Sequence, residues 1–502
     1  MSGLEVDLVL PNGKPIQLSI GLFINNEFVR GSSVEKLTSI DPANEESIAS
    51  VEIATETDVD RAVDAARAAF NNPAWRDLTP EDRAQLLHRA ADLCEKHLDE
   101  LFALQAWDVG KPYQSSKAGE GAHFLGCLRY FAGWADKLTG KSFPVSKDKF
   151  GYSIRQPVGV CGAITPWNYP LTQSAWKLGP ALATGNVIIL KPSEHSPLAA
   201  LYLAKLFKEA GYPPGVVQVL NGYGNRTGEA IASHLGVDKI AFTGSTATGK
   251  RVLRSAAVNM KRVSIEAGGK TAFIVFDDAD LEQAAKWAKE GGFGNSGQIC
   301  NANSRVLVQE GVQDKFINLF SDIAQATTVG LPFDDATTQG PQASKMQYDK
   351  VLGYIHSANQ QGAKLVTGGK PYTCDAANGR GYFIEPTIYT NVTPDMTIFR
   401  EEVFGPVIAV STFKTEDEAV ALANDSTYGL AAVVFSENLK KAHRVAARLQ
   451  TGTVWINESN GTDYKLPFGG VKQSGLGREL GESALDGYTE EQIIHVNLGV
   501  QL

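Results

Sequence analysis

Cysteine is scarce in this chain. There are five (Cys94, Cys127, Cys161, Cys300 and Cys374) among 502 residues, with no CxxC pair and no Cys/His cluster. Neither a disulfide framework nor a zinc site is expected from so few and so scattered thiols. Long apolar runs are missing too. None approaches the ~20 residues that span a bilayer, so no membrane partner is expected. Basic charge also falls short, with 47 Lys and Arg against 56 Asp and Glu and a formal net charge of −9. Nucleic-acid binding therefore has no support. The stretch Met1-Ser2-Gly3-Leu4-Glu5-Val6-Asp7 lacks the basic-then-apolar pattern of a signal peptide and the arginines of a transit peptide. The end, Gly499-Val500-Gln501-Leu502, is no peroxisomal address. A cytoplasmic protein is expected. No internal repeat or low-complexity tract is present.

What is there suits a globular chain with a large core: 43% hydrophobic and 21% charged residues. At ~150 residues per domain, the length corresponds to two to four domains. Leu22 to Val29 reads as a hairpin turning at Asn25-Asn26. Thr57-x-x-Asp60 and Thr79-Pro80-Glu81-Asp82 each open an amphipathic helix. From Val158 the pattern becomes short apolar strands alternating with helices: Val158 to Ile164, Val187 to Leu190, Val216 to Leu220, Ile240 to Phe242 and Val263 to Ile265. A helix is expected from Pro197 to Glu209. A second series starts at Ala272 to Phe276 and continues through Arg305 to Gln309, Val407 to Phe413 and Val454 to Asn457. Two doubly wound α/β domains with a cleft between them follow, with ligands at the C-terminal ends of strands.

The cleft-forming strand ends carry unusual chemistry. Cys300 lies among Gly292, Gly294, Gly297 and short polar residues, a composition that lets backbone approach a ligand. Two readings stand for a thiol presented this way: a nucleophile or a small half-buried side chain. Asn168, framed by Pro166 and Pro170, either donates to an oxyanion or ties a turn. Lys191-Pro192-Ser193-Glu194 places a cation and an acid past a strand. The acid suits ribose hydroxyls and would repel a 2′-phosphate; a solvated pair is the alternative. Phe242 to Lys250 runs from strand to helix through Gly244 and Ser245, a seat for a diphosphate or a plain helix cap. Arg251 stands where a P-loop needs Ser or Thr, which disfavours an ATPase. Glu266 lies between a strand and Gly268-Gly269, as a general base or a solvated hinge acid. Arg400 to Pro406 and Pro467 to Glu479 are further Gly-, aromatic- and charge-rich loops.

The motifs PWN, KPSE, FTGSTATG, EAGGK, GQIC and EEVFGPV, in that order, resemble the NAD(P)-dependent aldehyde dehydrogenase superfamily from Phe23 to about Tyr488. So does the 34-residue separation of Glu266 and Cys300. The nearest likeness is to the non-phosphorylating cytosolic and mitochondrial members, with betaine aldehyde dehydrogenases as relatives. The resemblance implies two Rossmann-like domains and a small β oligomerisation element. Residues 1–138 and 157–268 would bind NAD, residues 269–474 would form the catalytic domain, and residues 139–156 and 475–502 would be the oligomerisation element and tail. It implies a homo-oligomer, dimer or tetramer.

The same resemblance makes Cys300 the nucleophile, Glu266 the water-activating base and Asn168 the oxyanion donor. Lys177 and Glu479 become the pair that passes protons from the base. Cofactor contacts fall on Ile164, Trp167, Lys191, Glu194, Gly244, Ser245, Gly249, Glu402 and Phe404, with NAD favoured over NADP. The substrate tunnel falls on Tyr169, Thr172, Gln173, Trp176, Phe293, Gly294, Ile299, Asn301, Glu458, Thr462 and Phe468.

Several residues depart from the pattern. Ala267 replaces a leucine. Gly294 replaces a frequent aromatic, Thr172 and Gln173 stand for bulky apolar residues, and Thr462 for an aromatic or cysteine. A wider, more polar tunnel is expected, unless other side chains refill it. Tyr169, Trp176 and Trp167 could supply part of an aromatic box. The expected activity is oxidation of an aldehyde to the acid through a Cys300 thioester. The alternatives are transfer to coenzyme A, which needs no base such as Glu266, and a non-catalytic homologue, which would lack Cys300, Glu266 or Asn168.

Overall fold

The computed structural model describes residues 3–502; Met1 and Ser2, where the first expected segment begins, lie outside them. The first sheet has eight strands. Their order is Gly475–Leu476, Arg262–Glu266, Lys239–Thr243, Val160–Ile164, Val187–Lys191, Val217–Val219, Leu22–Ile24 and Glu27–Val29. The five central strands are parallel, and four of them are buried along their whole length. Covered on both faces, such strands read as continuous apolar runs. The chain order reverses at Val160–Ile164, which opens a crevice at its C-terminal end. The Asn25-Asn26 hairpin forms as expected, with φ of 54° and 64°, the left-handed pair of a tight hairpin turn.

The second sheet has seven strands, ordered Lys364–Thr367, Thr387–Thr390, Val407–Phe413, Arg305–Gln309, Ala272–Val275, Ala431–Phe435 and Thr453–Ile456. Apolar clusters fill both of its faces. A third, antiparallel sheet joins Ser142–Ser146, Lys149–Pro157 and Thr489–Asn497. Among the described residues no helix is long and apolar enough to cross a membrane.

Two expectations shift. The first long helix, Glu56–Asn71, starts after Thr55, because Asp58 accepts from the Thr55 backbone N–H at 2.9 Å and closes a capping box there. The segment from 475 does not begin with the small sheet. Gly475–Leu476 pairs with Arg262–Glu266, and Leu480, Ala484, Leu485 and Tyr488 fill the first core. Only Thr489–Asn497 reaches the third sheet. Apolar side chains at 480–488 gain more by burial in the nearest core than by following the tail.

Candidate active site

The strands Ala272–Val275 and Arg305–Gln309 are parallel neighbours, with Ala272 opposite Arg305. The segments leading into them therefore run side by side: Glu266 to Lys270 before one, Cys300 to Ser304 before the other. Gly269 lies so close to the Cys300 carbonyl that an added Cβ would sit 2.6 Å from it. Residues 34 apart in the chain are thus brought to one place by sheet register.

Two cavities meet there, one of about 730 Å³ and one of about 880 Å³. Cys300, Tyr169, Gln173, Trp176 and Phe468 line both. The turn before Cys300 is left-handed at three successive residues, Asn295 (φ 47°), Ser296 (φ 58°) and Gly297 (φ 73°). Asn295 and Ser296 are non-glycine residues held in a region that costs about 1 kcal/mol or more each. Gln298 anchors the turn: its carbonyl accepts from Asn168 Nδ2 at 2.9 Å and its side-chain oxygen from the Ala343 N–H at 2.9 Å. Asn168 is buried, and among the described residues the Gln298 carbonyl is the one acceptor its side-chain amide meets. Burial pushes the Cys300 thiol up to about 12, with Glu402 and Glu266 adding to the shift.

Glu266 ends the strand Arg262–Glu266 and is 4% exposed, yet neither carboxylate oxygen has a hydrogen-bond partner. Burial raises its pKa well above the usual carboxylate range; Glu479 adds to this, and Lys177 and Arg478 oppose it. Lys177 and Glu479 form a buried ion pair, with Nζ 2.8 Å and 3.0 Å from the two oxygens. Thr243 Oγ1 at 2.8 Å and Gln173 Oε1 at 3.0 Å complete the ammonium's partners. An unpartnered buried carboxylate is costly and calls for a ligand or water.

The larger cavity is lined by Ile164, Trp167, Lys191, Glu194, Gly244, Ser245, Glu402 and Phe404. Lys191 Nζ donates to Glu194 at 3.3 Å, and the Gly224 N–H donates to the other Glu194 oxygen at 3.3 Å. Burial pushes the Glu194 carboxyl upward, but Lys191 and nearby amides outweigh it and hold it below its usual range. Ser245 caps the eleven-residue helix Thr246–Ala256, accepting from the Thr248 N–H, and Gly244, Ser245 and Thr248 line the cavity. At the other end Glu402 accepts from the Gly269 N–H at 3.0 Å, and burial raises it to about 7. The buried Thr165 hydroxyl on this wall has no partner. An acid past a strand, a helix N-terminus and a second buried acid in one cavity are compatible with an extended dinucleotide. Gly249 does not reach the wall. It packs against Ile265, 3.1 Å from an added Cβ, so it serves helix packing. Thr165, Arg251, Gln347 and Lys350 line the cavity without any motif to mark them.

The smaller cavity is lined by Tyr169, Thr172, Gln173, Trp176, Gly294, Ile299, Asn301, Thr462 and Phe468. Phe293 is not among its walls: it is 2% exposed and stacks on Phe320 at 5.7 Å, because the last helical turn points it into the core. Glu458 is exposed and outside the cavity; Ser459 to Thr462 line it instead. Trp167 packs edge-on against Phe404 at 5.3 Å, in the larger cavity, and adds nothing to an aromatic box on this side. Lys111, Glu120 and His123, all missed from the sequence, join the wall from the Tyr113–Ala132 region.

Residues 28–494 match the aldehyde dehydrogenase family. The chain is 50% identical over 481 residues to an aldehyde dehydrogenase of Emericella nidulans, covering 96% of this chain and 95% of that one. It is 48% identical over 490 residues to the mitochondrial aldehyde dehydrogenase of Mesocricetus auratus, covering 97% of each. Among solved structures, it is similar to the betaine aldehyde dehydrogenase of Staphylococcus aureus in complex with NAD+, at a TM-score of 0.94 and 41% identity, covering 97% of this chain and 96% of that one.

Proposed function

This chain belongs to the aldehyde dehydrogenase family of aldehyde-oxidising oxidoreductases, and on that footing we propose that it uses NAD to convert a polar or bulky aldehyde to the free acid. One observation carries the reading: Cys300 lies where the two cavities meet, with the Asn168 amide and the unpartnered Glu266 carboxylate on the wall beside it.

The Cys300 thiol gives its proton to Glu266, from which Lys177 and Glu479 carry it away, as its sulfur adds to the aldehyde carbon. The Cys300 backbone N–H and the Asn168 side-chain amide receive the oxyanion, contacts worth about 3–4 kcal/mol of barrier. NAD, held by Lys191, Glu194, Gly244, Ser245, Glu402 and Phe404, supplies the two-electron oxidant that turns the thiohemiacetal into a thioester. NADP is disfavoured by Glu194. Glu266 takes a proton from water as that water attacks the thioester, and the Cys300 sulfur leaves. A base whose pKa is raised by burial is suited to this near neutral pH. Lys177 and Glu479 carry the proton onward. The polar cavity wall of Thr172, Gln173, Asn301 and Thr462 supports a hydroxylated or amino aldehyde over a simple aliphatic one. A cytosolic homo-oligomer, joined through the third sheet, completes the proposal.

Absorbance at 340 nm with NAD, an aldehyde panel and no coenzyme A tests it. Cys300→Ala is expected to abolish turnover. Glu266→Gln is expected to leave a burst of NADH followed by slow deacylation. NADH formed only with coenzyme A would remove the hydrolytic step. A strong preference for hexanal over hydroxylated and amino aldehydes would remove the polar substrate class.

A further inference from the structure

His123 faces the smaller cavity from the helix Tyr113–Ala132. Its Nε2 accepts the Trp176 indole N–H at 2.9 Å. The Thr462 backbone carbonyl stands against the ring as a second polar neighbour. An imidazole that accepts at Nε2 carries its proton on Nδ1, and only the neutral ring can do so. Three parts of the chain therefore meet at this ring: its own helix, the helix Pro170–Ala183 that holds Trp176, and the loop that lines the cavity at Ser459 to Thr462.

The loop is pinned on the far side as well. Tyr464 packs edge-on against His123, centroids 5.7 Å apart, and against Tyr130 at 5.8 Å. It lies over Gly126, where an added Cβ would strike the phenol ring. Trp176 is 5% exposed, packs edge-on against Phe468 at 5.3 Å, and lines both cavities as Cys300 does. The orientation of its indole shapes the passage to the sulfur.

Resting on the aldehyde-oxidising reading above, we propose that His123 is a positioning residue that decides which aldehydes are accepted. As a neutral acceptor it fixes the Trp176 indole, and with it the width of the cavity beside Cys300. Without that acceptor a buried indole N–H is left unsatisfied, so the indole turns or water enters, and the wall relaxes. Protonation has the same effect, since an imidazolium has two donors and no acceptor.

The groups around the ring set when that happens. Burial disfavours the charged ring and holds its pKa below the usual histidine value, while the Thr462 carbonyl and the Asp463 carboxylate favour the charge. Glu120, one turn earlier on the same helix, is tied to Lys111 at 2.5 Å. Lys177, one residue on from Trp176, is engaged by Glu479. The Tyr130 and Tyr464 phenols complete the surroundings.

The test is the ratio of kcat/KM for 3-phenylpropanal to that for propanal, with NAD and the full-length enzyme. His123→Leu is expected to shift this ratio about tenfold, chiefly through KM for the bulky aldehyde. His123→Gln, whose amide oxygen accepts, is expected to restore most of it. In a Trp176→Phe background, which has no N–H to hold, His123→Leu is expected to change nothing further. Between about pH 7.5 and about pH 5.5 the wild-type ratio is expected to move toward the His123→Leu value, and the His123→Gln ratio to stay flat. An equal effect of His123→Leu in both backgrounds overturns the proposal, as does a His123→Gln variant that behaves like His123→Leu. Should His123→Leu fail to fold, His123→Ala takes its place, alone and in the Trp176→Phe background, and an equal effect in both overturns the proposal. Absence of NADH from every aldehyde defeats the underlying oxidation reading, whereas NADH with an unmoved ratio defeats only the role of His123.

Discussion

At the Cys300 sulfur, burial and the carboxyls of Glu402 and Glu266 all raise the cost of negative charge. The thiol pKa is pushed up to about 12, so the cofactor-free protein holds a thiol near neutral pH. This has a measurable sign. Thiolate is the species that alkylates, so a raised pKa lowers reactivity at neutral pH and lets it climb as pH rises. Iodoacetamide is expected to modify Cys300 more slowly than glutathione at about pH 7.5, with the rate still rising at about pH 9.5. Cys300→Ala provides the blank. A rate that levels off below about pH 8 would show a preformed thiolate and contradict this. Glu266 is subject to the same burial, which disfavours its charged form, and neither of its oxygens has a hydrogen-bond partner.

The element that joins the two sheets, Glu266 to Lys270, owes its shape to two glycines. Ser474 fastens it at two adjacent residues: its carbonyl accepts from the Ala267 N–H at 2.8 Å, and its hydroxyl donates to the Gly268 carbonyl at 2.7 Å. A Cβ at Gly268 would land on the Glu402 carboxylate, and one at Gly469 would sit 2.6 Å from a Glu266 oxygen. Close backbone approach, not a left-handed φ, is what Gly268 provides, and it is legible in the sequence only as a Gly-Gly pair. Gly268→Ala is expected to displace Glu402 and raise KM for NAD about tenfold, while the melting temperature changes little. An unchanged KM for NAD in steady-state kinetics would sink this account of the pair. The Cys300 turn shows the limit of such reading. Its glycines were visible in the sequence, but the left-handed backbone at Asn295 and Ser296 was not, because those residues adopt it only where surrounding contacts impose it.

Across the whole molecule, the small third sheet remains exposed. Every residue of Ser142–Ser146 is exposed, including Phe143 and Val145, and Ile493 is open on Thr489–Asn497. Uncovered strand edges with apolar side chains invite pairing with another copy. Val145→Asp with Ile493→Lys is expected to reduce the particle to the subunit mass in light scattering, with its circular dichroism retained. An unchanged mass would remove this sheet as the contact of the proposed homo-oligomer. The sequence alone determined a great deal here. Apolar runs such as Val187–Lys191 and Lys239–Thr243 become fully buried parallel strands whatever their neighbours, because local pattern and burial agree. The linear motifs located Cys300, Glu266, Asn168 and most of the larger cavity, because each lies in a short segment beside a strand that is continuous in the chain. Tertiary structure alone decided which side chains face a cavity. Phe293 and Gly294 are adjacent, yet one enters the core and the other the wall. His123 reaches Trp176 across 53 residues of chain. Such choices depend on how helices pack and turn against each other, and that geometry is set by the sum of distant contacts, not by any local run of residues.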